Sequence, residues 1–176
     1  VDAMGGENSP RKVLDGIKIS LKHNKDNFFL LYGKKNIIEK HLTKHDIIKK
    51  HSEIVHAEDL IADDESPLTA IKRGKQSSMW KAIESQNDNI SDISLSAGNT
   101  GAMLVMSKMI LNTLEGIDKP ALAGLWPNKT GMNVVLDLGA NIECNEKNLI
   151  DFSNMGSALF KSLFGVDKPK IALLNI

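Results

Sequence analysis

The sequence predicts an α/β fold built around a mostly parallel sheet. Short apolar runs of strand length alternate along the chain with longer segments in which apolar residues recur at helical spacing. This order is typical of a parallel sheet with helices on both faces. Glycine-rich loops follow three of the apolar runs, at the sheet edge where ligands of this fold class bind.

The predicted strands are short and rich in Val, Ile, Leu and Phe. They lie at 1–3, 28–32, 54–56, 93–95, 121–125, 133–138 and 171–174. The predicted helices lie between them, at 10–23, 36–50, 67–86, 99–114 and 146–163. The first helix is the best marked, because Pro10 stands at its first position and Leu14 and Leu21 fall on one face.

Composition and charge exclude several classes of protein. The chain has 176 residues, 41% hydrophobic and 25% charged, as in an ordinary globular domain. Lys plus Arg and Asp plus Glu number 22 each, so no net charge draws the chain to nucleic acid. The lone Cys144 excludes a disulfide framework, and no apolar run approaches the roughly 20 residues that span a bilayer. We therefore expect a cytoplasmic protein that does not bind nucleic acid.

We expect one α/β domain that covers residues 1–176 and is incomplete at both ends. Residues 1–3 resemble the last residues of a buried strand, with no strand body before them. The segment 171–176 resembles a complete strand that lacks the elements needed to cover its two faces. The sequence contains no linker or internal repeat that would indicate a second domain.

The loop at residues 96–101 is the strongest candidate for a ligand site. It leads from an apolar run through Gly98 and Gly101 directly into a helix. Glycine lets the backbone approach a ligand, and the first turn of a helix offers unpaired N–H groups, so a phosphate fits there. Further donors are available on the side chains of Ser96, Asn99 and Thr100. The loop is neither a Walker loop nor G-x-G-x-x-G, and a capped structural turn is an equally good interpretation.

Two further loops repeat this pattern, with an aspartate where a strand ends and glycine behind it. The first contains Asp2, Gly5 and Gly6, and the second contains Asp137, Gly139 and Asn141. Each aspartate could cap a turn, orient a donor or bind a metal, and a turn is the commoner role of Asp and Asn. Three loops of one character in one sheet nevertheless favour a shared site.

The helix predicted at 67–86 carries a cluster of basic residues. They are Lys72, Arg73 and Lys75. This cluster could meet a phosphate or the acidic surface of a partner protein, and a solvated helix face is the alternative. His41 and His45 have the spacing of a two-histidine metal grip, but the H-E-x-x-H pattern is absent and lysines surround them. We predict no metal site.

Six short motifs stand out along the chain. They are Val-Asp-Ala-Met-Gly-Gly at 1–6, Ser-Ser-Met at 77–79, Ser-Ala-Gly-Asn-Thr-Gly-Ala at 96–102, Gly-Ile-Asp-Lys-Pro-Ala-Leu-Ala at 116–123, Leu-Asp-Leu-Gly-Ala-Asn at 136–141 and Met-Gly-Ser at 155–157. In this order, and over essentially the whole chain, they resemble the bacterial PlsX phosphate acyltransferases. The resemblance implies transfer of a fatty acyl group from acyl-[acyl-carrier-protein] to inorganic phosphate, giving acyl-phosphate for phospholipid synthesis.

The same resemblance implies a fold and a set of partners. The fold would be a three-layer α/β/α sandwich similar to that of phosphate acetyltransferases, in a homodimer without a cofactor. The partners would be acyl carrier protein, inorganic phosphate and, transiently, a membrane glycerol-phosphate acyltransferase that uses the product, so that the protein would be peripheral to the membrane. Relatives often carry more Arg or Lys where this chain has Thr69 and Gly74, which weakens the assignment of that helix to the carrier.

The chemistry of such a reaction is consistent with the residues present. Phosphate is already a competent nucleophile toward a thioester, so the protein must mainly position it and stabilise the developing carbonyl oxyanion. The candidate catalytic residues are Asn99, Thr100, Asp137 and Asn141. The candidate phosphate-binding residues are Asp2, Gly5, Gly6, Ser96, Gly98, Gly101 and Gly139. The candidate carrier contacts are Lys72, Arg73 and Lys75.

Two other functions remain open from the sequence. A non-catalytic sensor could bind a phosphate-containing or acyl ligand with the same loops. A phosphotransacetylase-like enzyme could use a coenzyme A thioester in place of the acyl carrier.

Overall fold

A computed structural model describes residues 1–141 and 143–174, with the exception of the side chain of Arg73. The described residues form a mixed α/β structure, as the alternation of apolar runs and helical segments predicted. The chain divides into two compact units, Val1–Asn112 and Thr113–Ile176. That one domain covers residues 1–176 stays a prediction.

The first unit contains two strands and six α-helices in its described residues. They are α1 (Arg11–His23), β1 (Phe29–Gly33), α2 (Lys35–Leu42), α3 (Asp46–Lys50), β2 (Ser52–His56), α4 (Pro67–Arg73), α5 (Ser78–Asn87) and α6 (Thr100–Leu111). A short 3-10 turn at Gly74–Gln76 separates α4 from α5. The bounds of α1 agree with the predicted helix at 10–23 to within one residue.

Two predicted helices are each divided in the structure. The segment 36–50 forms α2 and α3, separated by a turn that ends at His45, the residue before α3. The segment 67–86 is interrupted at Ser77, where the backbone is extended. The Ser77 Oγ accepts a hydrogen bond from the Trp80 N–H at 3.1 Å. A residue that caps a helix N-terminus cannot itself continue a helix, so α5 begins only at Ser78.

Parallel pairing organises the first unit. β1 and β2 are parallel, in register from Phe29 opposite Ser52 to Gly33 opposite His56. Asp2 makes an isolated parallel bridge to Tyr32, and its N–H donates to Leu95 O at 2.8 Å. The order is therefore segment 93–95, segment 1–3, β1 and β2. The prediction that segments 1–3 and 93–95 are regular strands is wrong, because these few bonds do not extend into ladders.

Helices of the first unit pack through two separate apolar clusters. Leu14 and Leu21 of α1 are buried against Leu31 of β1 and Ile38 of α2. A second cluster joins α5 to α6 and is centred on fully buried side chains such as that of Met106. These clusters fix the helices whose ends carry the loops described below.

The second unit contains a hairpin and one long helix in its described residues. The elements are β3 (Ala123–Asn128), β4 (Gly131–Leu136) and α7 (Glu146–Phe164). The prediction of parallel strands at 121–125 and 133–138 is wrong, because β3 and β4 are antiparallel. Two residues connect them, and parallel strands need a crossover of a dozen residues or more.

The helix α7 is the best capped element of the second unit. Asn145 and Asn148 form a reciprocal capping box at its start, and Gly165 ends it with a left-handed φ of +69°. Gly156 lets α7 approach β4 closely, since a Cβ there would lie 2.9 Å from Leu136 Cδ1. The predicted strand at 171–174 is not a strand, and in the described part of the chain no helix is long and apolar enough to span a bilayer.

Candidate functional site

Two of the three glycine-rich loops meet in the first unit. The chain begins in segment 1–3, continues outward through β1 and β2, and returns to segment 93–95 on the other side of segment 1–3. The connection that leaves segment 1–3 leads to one side of it, and the connection that reaches segment 93–95 returns on the other side. A place where neighbouring connections diverge in this way is a topological switch point, and open α/β sheets bind ligands there. The loop that follows Asp2 (loop 2–9) and the turn at residues 96–101 (turn 96–101) flank this point.

Glycine allows loop 2–9 and turn 96–101 to touch. A Cβ on Gly5 would lie 2.5 Å from Asp2 Oδ2 and 2.6 Å from Ser96 Oγ. Gly6 has a φ of +83°, and a Cβ there would lie 2.5 Å from Ala97 O. Such distances exclude any side chain unless the backbone moves. The glycines at these positions are therefore required by the packing of one loop on the other.

Asp2 lies beneath this contact and holds it by hydrogen bonds. Its side chain is buried, with the residue 2% exposed. Oδ1 accepts the Met4 N–H at 3.1 Å, and Oδ2 accepts the Ser96 hydroxyl at 2.7 Å. The Ser96 Oγ in turn accepts the Gly98 N–H at 3.1 Å. Asp2, which the sequence analysis gave as a candidate phosphate-binding residue, is thus a buried support of the turn in the structure.

Asn99 connects turn 96–101 to the segment before α4. Its Oδ1 accepts the Ala102 N–H at 2.9 Å and so caps α6. Its Nδ2 lies 3.2 Å from Ala62 O, 3.1 Å from Asp63 O and 2.8 Å from Glu65 O, so that two hydrogens are shared among three carbonyls. The side chain that the sequence proposed as a donor to a ligand is therefore engaged within the protein.

The first turn of α6 offers donors to an external acceptor. Helix geometry leaves the N–H groups of Thr100, Gly101 and Ala102 without intrahelical acceptors, and Asn99 takes only the last of them. Thr100 is exposed, and its hydroxyl adds a third donor. Gly101 also packs on α4, since a Cβ there would lie 3.0 Å from Pro67 Cγ. Two N–H groups and one hydroxyl are thus available in this turn as donors to an anion.

The third loop lies in the second unit and forms a tight turn. Asp137 and Gly139 have left-handed φ values of +62° and +80°. Asp137 Oδ1 accepts both the N–H of Asn141, at 3.1 Å, and its Nδ2, at 2.9 Å. Asn141 Nδ2 also donates to Pro120 O at 3.0 Å. These bonds are those of an aspartate that forms a turn, the alternative interpretation of this motif.

The thiol of Cys144 also contacts the side chain of Asp137. Cys144 is exposed, and its Sγ donates to Asp137 Oδ2 at 3.4 Å. Desolvation, followed by the hydrogen bond to Asp137 and the charge of that residue, raises the pKa of the thiol above its ordinary value. A raised pKa disfavours the thiolate, which is the nucleophilic form of cysteine.

The remaining candidates lie on the surface of the first unit. Lys72 of α4 and Lys75 of the 3-10 turn are exposed, and the side chain of Arg73 lies outside the described residues. His41 is exposed, whereas His45 Nδ1 is buried without a hydrogen-bond partner. Over the described ranges 1–141 and 143–174, no three His, Cys, Asp or Glu side chains are grouped to hold a metal ion.

Sequence reasoning missed the residues that support turn 96–101 from outside. These are the carbonyls of segment 62–65, bound by Asn99, and the ring of Pro67, which packs on Gly101. A backbone carbonyl has no residue-type signature, so the sequence carries no signal for the first contact. Ser66-Pro67 does mark a helix start, but its neighbour in space cannot be read from spacing.

Comparison with known proteins gives consistent matches over the whole chain. A family model described as fatty acid synthesis protein matches residues 1–176. The chain is 56% identical over 176 residues to a phosphate acyltransferase of Pelagibacter ubique, covering 100% of this chain and 52% of that protein. It is 45% and 44% identical over 177 residues to phosphate acyltransferases of Nitrobacter hamburgensis and Rhodopseudomonas palustris, covering 100% of this chain and 50% of each. The chain spans about half the length of these curated relatives.

Proposed function

The chain belongs to the fatty acid synthesis protein family of PlsX type, and from this membership we propose that the full-length protein is a phosphate acyltransferase. Its substrates would be inorganic phosphate and a fatty acyl group carried as a thioester on acyl carrier protein. Its product would be acyl-phosphate for phospholipid synthesis. The observation that carries the proposal is identity of 44–56% over the entire chain to proteins named phosphate acyltransferase.

The proposed reaction requires no nucleophile from the protein and no cofactor. An oxygen of phosphate attacks the carbonyl carbon of the thioester, and a tetrahedral oxyanion forms. Its collapse breaks the C–S bond and leaves the acyl group on phosphate, while the proton of hydrogen phosphate passes to the leaving sulfur and gives the free carrier thiol. Catalysis then depends on holding phosphate in position and on donors that stabilise the oxyanion.

Turn 96–101 is the part of the chain that we propose to hold phosphate. The N–H groups of Thr100 and Gly101 and the hydroxyl of Thr100 are its donors, and the partial positive charge of the α6 N-terminus adds to them. The position of the turn at a topological switch point supports this assignment. The glycines of the two touching loops, Gly5, Gly6 and Gly98, shape the backbone around it.

We propose a structural role for three of the candidate catalytic residues, Asn99, Asp137 and Asn141. The contacts of Asn99 favour a positioning role at the start of α6. Asp137 and Asn141 bind each other and would shape the loop at 137–141, in which Gly139 supplies a second left-handed residue. For none of these three side chains do we propose direct contact with the reacting atoms.

The proposal extends to the fold, the assembly and the partners of the full-length protein. We propose a three-layer α/β/α sandwich for the full-length protein, assembled as a homodimer in the cytoplasm. Lys72, Arg73 and Lys75 would contact the acidic surface of the carrier. The product would pass to a membrane glycerol-phosphate acyltransferase during transient contact with the membrane.

Turnover by the full-length protein tests the proposal. Acyl-[acyl-carrier-protein] and phosphate are mixed with the protein, and both acyl-phosphate and free carrier thiol are measured. We expect equal amounts of the two products and a dependence on phosphate that saturates. The same assay with an acyl-coenzyme A donor at equal concentration distinguishes the coenzyme A enzyme, which would prefer that donor. A protein that binds phosphate but turns over neither donor would be a sensor, contrary to the proposal.

A further inference from the structure

We propose that Asp2 is a positioning residue for phosphate, which acts through the hydroxyl of Ser96 and does not itself touch the substrate. The proposal rests on the proposed function, because it takes turn 96–101 as the phosphate site. It changes the expected roles of both residues. The sequence analysis placed them among the groups that contact phosphate, whereas in the structure their side chains bond to each other.

Burial separates Asp2 from any ligand. The residue is 2% exposed, and each carboxyl oxygen already accepts a hydrogen bond, one from Met4 N–H and one from Ser96 Oγ. Gly5 lies over the second of these bonds, since a Cβ on Gly5 would be within 2.6 Å of both Asp2 Oδ2 and Ser96 Oγ. A substrate could reach the carboxyl group only if loop 2–9 moved away.

The bond to Asp2 fixes which way the Ser96 hydroxyl points. A hydroxyl has one hydrogen, and that of Ser96 is donated to Asp2 at 2.7 Å. A lone pair of the same oxygen then accepts the Gly98 N–H at 3.1 Å, which bends the backbone between the two residues. Ser96 therefore has no hydrogen to offer a phosphate. Its role is to hold the backbone that leads into the α6 N-terminus.

The amide isostere of Asp2 cannot reproduce this arrangement. Asn has one acceptor oxygen and one NH2 group in place of two acceptors. If the oxygen keeps the Met4 N–H, the NH2 group faces Ser96 Oγ and can only donate to it. The hydroxyl hydrogen must then turn away from residue 2, so the bond that fixes the direction of the Ser96 hydroxyl is lost.

Charge repulsion and positioning predict opposite effects of Asp2→Asn on phosphate affinity. A carboxylate near a dianion repels it, so removal of the charge by Asp2→Asn should tighten phosphate binding if charge is all that matters. A positioning role predicts weaker binding despite the lost repulsion. The sign of the change in phosphate affinity therefore separates the two explanations.

The experiment measures binding of inorganic phosphate to the full-length protein by calorimetry, without an acyl donor. We expect Asp2→Asn and Ser96→Ala each to weaken phosphate binding about tenfold, as for loss of one hydrogen bond that involves a charged group. We expect the phosphate affinity of the double variant to equal that of the single variant with the lower affinity, since both substitutions break the same bond. In the acyl-transfer assay, KM for phosphate should rise more than kcat falls.

The controls keep each outcome informative. Asp92→Asn removes an exposed carboxyl group four residues before the same turn in the sequence and should leave phosphate affinity unchanged. If Asp2→Asn does not fold by circular dichroism, Ser96→Ala breaks the same bond without a new group in the interior. Unchanged or tighter binding in Ser96→Ala or Asp2→Asn, or multiplying effects in the double variant, overturns the proposal. If both substitutions weaken phosphate binding as expected but the wild-type protein forms no acyl-phosphate, only the proposed function is contradicted.

Discussion

The side-chain amide of Asn99 donates a 2.8 Å hydrogen bond to the backbone carbonyl of Glu65. The same side chain caps α6 through its oxygen, so one residue fixes both the start of this helix and the segment before α4. The segment 62–65 is otherwise an acidic surface loop with exposed carboxylates. The bonds from Asn99 to Ala62, Asp63 and Glu65 attach this segment to the α6 N-terminus.

Substitutions of Asn99 separate its two contacts. Serine is a good N-cap but is too short to reach the carbonyls of segment 62–65, whereas alanine loses both contacts. We expect Asn99→Ala to lower the free energy of unfolding by about 1–3 kcal/mol, the sum of a lost cap and a lost hydrogen bond. Asn99→Ser should recover about 1 kcal/mol of this loss. Urea unfolding of the full-length protein measures both values.

A third variant controls for this interpretation. Asn99→Asp keeps the capping oxygen but places a second oxygen against three carbonyl oxygens. It should be less stable than Asn99→Ser at neutral pH, although Asp and Ser are comparable caps. Equal stability of these two variants would show that the bonds to segment 62–65 contribute little.

Gly101 should not tolerate a side chain in the active protein. A Cβ at Gly101 would lie 3.0 Å from Pro67 Cγ, and the two γ-methyl groups of valine extend further into the same space. We expect Gly101→Val to eliminate acyl-phosphate formation by the full-length protein. Gly16 of α1 is the matched control, because a Cβ there meets nothing within 4 Å. Gly16→Val should retain activity, and loss in both variants would point to helix propensity instead of packing.

The sequence predicted the elements whose signals are local. Helix α1 was found within one residue of its predicted start, since Pro10 and an apolar face mark it without reference to the rest of the chain. The strands β1 and β2 were confirmed for the same reason. The expectation that the three glycine-rich loops share a site rested on the position of ligand sites at one edge of a parallel sheet. Two of these loops, loop 2–9 and turn 96–101, are in contact.

Features that depend on contacts between distant segments could not be predicted in this way. The apolar runs at 121–125 and 133–138 have the composition of parallel strands, yet they overlap β3 and β4, whose two-residue connection makes a hairpin. Asp2 and Asn99 are residue types that commonly contact ligands, and only packing shows that their polar atoms face the protein. Whether turn 96–101 binds phosphate stays a prediction.

The basic residues near α4 should affect encounter with the carrier more than chemistry. Lys72 and Lys75 are exposed, and acidic carriers are steered by surface charge. We expect the change of Lys72, Arg73 and Lys75 to Gln to raise KM for the acyl carrier by about 3- to 30-fold and to flatten its salt dependence. Lys18→Gln with Lys22→Gln, on the exposed face of α1, is the control. A fall in kcat with neither effect would instead place a basic group at the reaction centre.

The low reactivity of Cys144 should depend in part on Asp137. The pKa of the thiol is raised by desolvation first, and then by the hydrogen bond and charge of Asp137, so little thiolate forms near neutral pH. Asp137→Asn removes the charge, while Asn also tolerates the left-handed φ of +62° and keeps an oxygen for Asn141. The pKa of Cys144 should therefore fall toward its ordinary value, although desolvation remains.

Alkylation by iodoacetamide measures this change. The Cys144 peptide of the full-length protein is quantified by mass spectrometry over a series of pH values. Because a lower pKa means more thiolate at a given pH, Asp137→Asn should react faster than the wild type near pH 8, and the two rates should converge once both thiols are ionised. Glu143→Gln is the control, because it removes a neighbouring charge that is not among the causes of the raised pKa, and it should leave the rate unchanged. In concentrated urea, where the fold is lost, both variants should react at the rate of the wild type. Equal rates for Asp137→Asn and the wild type across the series would mean that the carboxyl group of Asp137 does not control the thiol.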